Sequence, residues 1–259
     1  KTSIFPINTT ISIFDLDGTL LDTLYDIAVS MNTVLERNGF ATHPIEKYRI
    51  FIGQGIAKLA KRAIAHQNKS SVTVEDIVQE LYIEYEQRMG DSTKFYDGIP
   101  QLLDDITSHN LHMAILSNKR DFLTQKLVAE FLGKWPFKFI SGARQGFAKK
   151  PDPRLAIHIA EKLGIPNEEC IFIGDTPADM QTALKAGMFP IGVLWGFRNK
   201  KILSEAGAKL LCESPREIYN FIIDIFNKIF IITGLSFVVK SDIWIRSIHN
   251  SFCTYLIFF

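Results

Sequence analysis

The stretch Ile11-Ser12-Ile13-Phe14-Asp15-Leu16-Asp17-Gly18-Thr19-Leu20-Leu21-Asp22 decides how the chain is read. A short apolar run of β type stops at two aspartates one residue apart, followed at once by Gly and Thr. Strands of a covered parallel sheet are apolar on both faces, so charges belong where the strand has ended. Two carboxylates at that point lie at the carboxyl edge of an α/β sheet, where such folds bind ligands. A carboxylate there can hold a hard cation or attack an electrophile. Gly18 lets the backbone turn sharply, and the Thr19 hydroxyl can orient a neighbouring carboxylate or a ligand oxygen.

Further β-type segments end in polar or small residues: Thr10–Phe14 itself, His112–Leu116, Phe137–Ile140, Cys170–Ile173 and Phe189–Leu194, with Lys209–Cys212 a weaker sixth. Helical patterns separate the later ones. Asp121 is expected to cap a helix carrying Phe122, Leu127, Val128 and Phe131 that stops at Gly133. Asp152-Pro153 opens another, with Ala156, Ile159, Ala160 and Leu163 on one face and Gly164 past its end. Ala183, Leu184 and Gly187 suit a third, and Ser214-Pro215-Arg216-Glu217 has the form of a capping box. Strands alternating with helices mean a parallel sheet covered on both faces.

The link from the first strand to the second breaks this rhythm. It holds roughly ninety residues, far beyond an ordinary connection, and carries its own helical patterns. Leu24, Ile27, Ala28, Met31, Val34 and Leu35 share one face of a run ending at Gly39. Val74, Ile77, Val78, Leu81, Tyr82 and Tyr85 share another, with Thr73 as its cap, and a third helix runs from Ile56 to about His66. The expectation is a small all-helical domain over 22–94, inserted behind the paired aspartates and able to act as a lid. An α/β core is expected from 1–21 and 95–220.

Bulk composition narrows the partners. A net charge of +1 gives no electrostatic case for nucleic acid or an anionic membrane. Cys170, Cys212 and Cys253 are few, odd in number and far apart, which fits a reducing cytoplasm rather than a disulfide framework. The start, Lys-Thr-Ser-Ile-Phe-Pro, shows neither a signal-type apolar stretch nor an initiator Met, and is read as a soluble, trimmed or recombinant terminus. The apolar segment 221–259 is interrupted by Asp224, Lys228, Lys240, Asp242 and Arg246, too often for a membrane helix of about 20 apolar residues. It is read as packing on the domain or on a partner, with peripheral membrane contact the sharper alternative. A monomer or homodimer is expected.

Three further strand ends carry polar groups, each with a purely structural alternative. Ser117-Asn118-Lys119 offers a hydroxyl and an amide suited to phosphoryl oxygens, or a helix cap. Lys149-Lys150-Pro151-Asp152-Pro153 offers a cation before a helix, or a solvated lysine pair. Lys150 is preferred because it directly precedes Pro151. In Ile171-Phe172-Ile173-Gly174-Asp175-Thr176-Pro177-Ala178-Asp179 an apolar strand again ends in an acid, with a second acid four residues on. Asp175 can complete a cation site with Asp15, and Asp179 can bind a metal-held water, fix the lysine or merely cap a helix.

Together the four motifs, in order and spacing, resemble the haloacid dehalogenase-like hydrolases, in particular their phosphoglycolate-phosphatase-like branch, over Ile11 to Phe221. The resemblance implies a Rossmann-like parallel sheet with the first strand central. It implies a magnesium-dependent phosphatase in which Asp15 is the nucleophile, Asp17 the general acid and base, and Ser117, Asn118 and Lys150 bind phosphate. Thr19 and Asp179 would support them. Mg²⁺ would be held by Asp15, the backbone carbonyl of Asp17 and Asp175. An acid at Asp17 favours phosphate esters, since dehalogenases and phosphonatases of the superfamily lack one there. Gly53, Gly55, Lys58 and Arg62 resemble the cap element of phosphoglycolate phosphatases, and Lys58 and Arg62 share a helix face that could meet a substrate carboxylate. The implied substrate is 2-phosphoglycolate or another small phosphorylated metabolite. A pyrophosphatase, nucleotidase or sugar-phosphate mutase remains the alternative, and a non-catalytic binding module a more distant one.

Overall fold

The computed structural model describes residues 11–65, 67 and 72–233, the side chains of 226–233 excepted. Thr10, His66, Cys253 and the tail beyond 233 lie outside the described residues. In chain order come β1 (Ile11–Phe14), β2 (Leu21–Asp22), α1 (Leu24–Arg37), α2 (Tyr48–Phe51), α3 (Ile56–Ala63), α4 (Val74–Arg88), β3 (Lys94–Phe95) and α5 (Ile99–Ser108). Then follow β4 (His112–Arg120), α6 (Asp121–Leu127), β5 (Phe137–Ala143), α7 (Arg154–Leu163), β6 (Cys170–Gly174) and α8 (Pro177–Ala186). The chain continues through β7 (Phe189–Val193), α9 (Lys200–Glu205), β8 (Leu210–Cys212) and α10 (Pro215–Thr233).

Six strands form one parallel sheet in the order β5-β4-β1-β6-β7-β8. β1 is central, with Phe14 in register with Ile115 of β4 and Ile173 of β6. Its side chains alternate between two cores, as the pleat requires. Ile11 and Ile13 join Phe172 and the inner faces of α7 and α8. Phe14 joins Ile115, Ile173 and a larger cluster that runs on into the helices between β2 and β3. Because the chain leaves β1 toward β4 on one side and later returns to β6 on the other, the carboxyl ends of these three strands open onto one crevice.

The antiparallel pair β2–β3 closes the neck of the long insertion. Within it, α1 buries Leu24, Ile27, Ala28, Met31, Val34 and Leu35, the face read from the sequence. α4 buries Ile77, Leu81 and Tyr85 and begins with a reciprocal cap: the Asp76 N–H donates to Thr73 Oγ1, and the Thr73 N–H to Asp76 Oδ2. Asp26, buried in the first turn of α1, accepts from the N–H groups of Gly90, Ser92 and Thr93 and from the Thr93 hydroxyl. One carboxylate thereby fixes the returning strand of the neck.

Local differences from the sequence reading have clear causes. β4 continues through Arg120, so Arg120 rather than Asp121 stands at the cap of α6. The Asp121 carboxylate instead accepts from the Gly142 N–H on β5 (2.7 Å). Phe122 consequently points outward, 57% exposed, and after Leu127 the helix widens to a π turn over Val128–Leu132. At α10 the Ser214 hydroxyl donates to Glu217 Oε1, and Glu217 Oε2 accepts from the Glu213 N–H, a variant of the capping box. Among the described residues no helix is long and apolar enough to cross a membrane.

Replacing Asp26 by Ala leaves three backbone donors and a hydroxyl without their acceptor. It is expected to lower the unfolding free energy by about 2–4 kcal/mol in urea or guanidinium titrations. A change below about 0.5 kcal/mol would show that water replaces the carboxylate without cost.

Candidate active site

The three clustered acids stand at the ends of buried elements. Asp15 follows β1, and its backbone N–H still donates to the Ile173 carbonyl, extending the ladder by one residue. Gly18 then turns with φ +86°, and any Cβ there would strike Asp175 Oδ2 and the Phe197 ring. Asp175 follows β6. Asp179 stands in the first turn of α8, where its Oδ2 accepts from the Thr176 N–H (2.9 Å) and hydroxyl (2.7 Å).

Lys150, not Lys149, enters the site. Its side chain is 2% exposed, and Nζ lies 2.8 Å from Asp15 Oδ1 and 2.6 Å from Asp179 Oδ1. Lys149 is exposed and reaches toward Gly55. Burial drags the Lys150 ammonium downward in pKa, but Asp15 and Asp179 overcome it and the net direction is upward. Asp15 is pushed up to about 7, chiefly by burial, against the pull of Lys150 and with further repulsion from Asp179 and Asp17. Asp175 is raised for the same reason, with Asp15 and Asp179 as like-charged neighbours.

Asp15, Asp175 and Asp179 bring carboxylate oxygens within 4.8 Å of one another, all buried. Asp175 receives only neutral donors, the Thr19 hydroxyl (3.1 Å) and the Phe197 N–H (2.8 Å). Buried acids outnumbering their ammonium, with hard oxygen donors converging, fit a small divalent cation.

Asp17 faces the other way. Its carboxylate takes the Thr23 hydroxyl (2.7 Å) and Lys119 Nζ (2.8 and 3.1 Å). Ser117 is buried and lines the same cleft, and its Oγ accepts from the Lys119 N–H. The Asn118 side chain is spent on backbone: its Oδ1 accepts from the Lys150 N–H, and its amide donates to the carbonyls of Lys150 and Gly53. Asn118 therefore holds the lysine loop and the insertion in place.

A cleft of about 630 Å³, part of it open to solvent, runs from Asp15 and Asp17 between β4 and the insertion, and both Gly53 and Gly55 border it. Lys58 and Arg62 do not. Lys58 is exposed, and Arg62 donates to the Phe51 carbonyl (2.9 Å) and to Gln54 Oε1 (2.7 Å). The cations that do border it are Lys119 and Arg120, each over a tyrosine of α4: Lys119 above Tyr85 (4.5 Å to the ring centre) and Arg120 above Tyr82 (4.8 Å). Sequence reasoning assigned neither a role. The available signal was nearness in sequence, since Lys119 stands two residues past Ser117 at the same strand end. Arg198 was missed as well. It donates to the carbonyls of Arg49 and Ile52, while Arg49 donates back to the Gly196 carbonyl.

The comparisons with known proteins agree with this architecture. Residues 12–193 match the family described as haloacid dehalogenase-like hydrolase. A phosphoglycolate phosphatase of Xylella fastidiosa (strain 9a5c) is 30% identical over 189 residues, 72% of this chain and 81% of the relative. One from Pseudomonas savastanoi pv. phaseolicola is 29% identical over 209 residues, 79% of this chain and 76% of that one. A solved structure from Lactobacillus delbrueckii subsp. bulgaricus, provisionally assigned as a phosphoglycolate phosphatase, superposes with TM-score 0.77 at 28% identity, covering 83% of this chain and 99% of its own. The chain belongs to the haloacid dehalogenase-like hydrolase family.

The raised Asp15 has a thermodynamic consequence. Between its ordinary 3.8 and about 7 the folded protein binds more protons here than the unfolded chain, so this group's stabilisation falls as pH rises through that window. A divalent cation bound beside Asp15 would replace the proton, and its benefit would grow over the same range. The increase in Tm on adding millimolar magnesium to chelator-treated protein is expected to be larger at pH 7.5 than at pH 5. A magnesium effect of equal size at both would argue against a cation beside Asp15.

Proposed function

We propose that this phosphatase of the haloacid dehalogenase-like superfamily is magnesium-dependent and hydrolyses a small phosphomonoester, 2-phosphoglycolate or a close analogue. The reaction proceeds through an aspartyl-phosphate on Asp15. The observation that carries the reading is Lys150 Nζ touching Asp15 and Asp179 at once, with Asp175 alongside. An anionic nucleophile meets an anionic phosphate only where positive charge is already fixed, and charge neutralisation with in-line positioning is the main catalytic demand.

Lys150 and Leu16 N–H both contact Asp15 Oδ1, so Oδ2 is the attacking oxygen. Oδ2 bonds to phosphorus as the ester P–O bond breaks, and Asp17 gives its proton to the departing alkoxide. A water then attacks the acyl phosphate and passes its proton to Asp17, releasing inorganic phosphate and restoring Asp15. Lys150 and the Ser117 hydroxyl receive phosphoryl oxygens throughout. Asp15, Asp175 and the backbone carbonyl of Asp17 would hold magnesium, which would supply further neutralisation of phosphoryl charge. Thr19 orients Asp175, and Asp179 orients Lys150. Residues 22–94 form the lid domain over a hydrolase core of 1–21 and 95–220, and the enzyme acts in the cytoplasm.

Phosphate release from 2-phosphoglycolate and from p-nitrophenyl phosphate tests this. Asp15→Asn is expected to lower both by at least about 10³-fold, and chelation of magnesium to abolish both. Asp17→Asn is expected to cost about 10²-fold or more on 2-phosphoglycolate. It should cost less on p-nitrophenyl phosphate, whose leaving group needs no proton. Near-native activity of Asp15→Asn would refute the covalent route.

A further inference from the structure

We propose that Lys119, with the hydroxyl of Tyr85 as its partner, is the element that reads the substrate's carboxylate, and that the enzyme therefore selects short phospho-acids over neutral phosphate esters. The inference rests on the phosphatase reading above and names the specificity determinant of that site.

Geometry restricts where such an element can stand. In a 2-phospho acid a single methylene separates the ester oxygen from the carboxylate carbon. Whatever binds that carboxylate must therefore lie beside the group that protonates the ester oxygen. Lys119 Nζ is 2.8 Å from Asp17 Oδ1, and its side chain is 7% exposed. An ammonium has three donors; the Asp17 carboxylate does not exhaust them.

Tyr85 supplies the second observation. It is 3% exposed and borders the cleft, yet its hydroxyl has no hydrogen-bond partner. Lys119 lies over the face of the ring, a cation–π placement in which its ammonium acts on the phenolic oxygen without meeting it in good hydrogen-bond geometry. A buried hydroxyl without a partner costs free energy unless a ligand completes it. Burial pushes its pKa up to about 12, so it remains a donor at neutral pH. Two donors on residues that line one cleft, one charged and one neutral, match the two oxygens of a carboxylate. The rest of the cleft wall is largely apolar, with Ile52, Ile56, Leu59 and Leu81, and offers little to a polyhydroxylated sugar. Lys58 and Arg62 stand outside it.

Inhibition of p-nitrophenyl phosphate hydrolysis by two phosphonates tests the assignment: 3-phosphonopropionate, which carries the carboxylate, and propylphosphonate, which lacks it. The readout is the ratio of their inhibition constants, which is insensitive to a general loss of turnover. Wild type is expected to bind the carboxylate-bearing phosphonate about 10-fold or more tightly than propylphosphonate. Lys119→Met should collapse the ratio toward one, Lys119→Arg should restore part of it, and Tyr85→Phe, which keeps the packing, should reduce it about 3-fold or more. Lys58→Gln should leave it intact. Wild type that turns over p-nitrophenyl phosphate but is inhibited equally by both phosphonates overturns this assignment alone. So does a full preference retained in both Lys119→Met and Tyr85→Phe. Wild type without any p-nitrophenyl phosphate turnover overturns the hydrolase reading and this assignment with it.

Discussion

Everything at the carboxyl edge of the sheet depends on one imbalance: three buried carboxylates converge, and a single buried ammonium touches two of them. Taking one such charge out of water costs several kcal/mol unless it is paired. Lys150 offsets this for Asp15 and Asp179, while Asp175 is left with a hydroxyl and a backbone N–H. The cluster is therefore short of positive charge by design of its neighbours, and the protein relieves the shortage by raising the pKa of Asp15 and Asp175. The chemistry of such a cluster suits a divalent cation, as its converging hard oxygens do. The rigidity needed to hold like charges together comes from the strands themselves, since Asp15 and Asp175 follow adjacent, fully buried β1 and β6.

The insertion is tied to the same edge by backbone carbonyls. Arg198 donates to the carbonyls of Arg49 and Ile52, Arg49 to that of Gly196, and Asn118 to that of Gly53. The loop carrying Arg198 also presents the Phe197 N–H to Asp175. Asn118 meanwhile grips the backbone of Lys150. The groups that orient the cluster and the groups that fasten the insertion are thus neighbours on the same two loops. Movement of the insertion would be felt by Asp175 and Lys150 through one or two hydrogen bonds.

Much of this was legible in the sequence because its signals are local. Apolar runs that end in acids fixed the strands and their active edge, and helical periodicity within the ninety-residue link marked an insertion. What was not legible depends on which of two neighbouring residues turns inward, or on partners far apart in the chain. Lys149 and Lys150 are chemically equal until the loop's path is known. Asp121 reads as a cap, yet β4 runs on to Arg120 and the carboxylate goes to Gly142 instead. Arg62 shares a helix face with Lys58 as expected, but nearby carbonyls and Gln54 claim its guanidinium. Asn118 reads as a phosphate donor, and its side chain also braces the backbone of Gly53 and Lys150, which lie 65 and 32 residues away.

Lys119 and Tyr85 show why an insertion of this kind can govern a core reaction while supplying little of the charge. The cations bordering the cleft, Lys119 and Arg120, arise from the carboxyl end of β4, where Arg120 is still in register with Ala143 of β5. The insertion contributes the aromatic faces of Tyr85 and Tyr82, one helical turn apart on α4, that hold those cations in place. Burial alone would discharge Lys119, but Asp17 and Tyr85 reverse that direction and keep it protonated. With Lys119 pinned between an acid of the core and a ring of the insertion, the placement of the ammonium and the seating of α4 on the core become the same event.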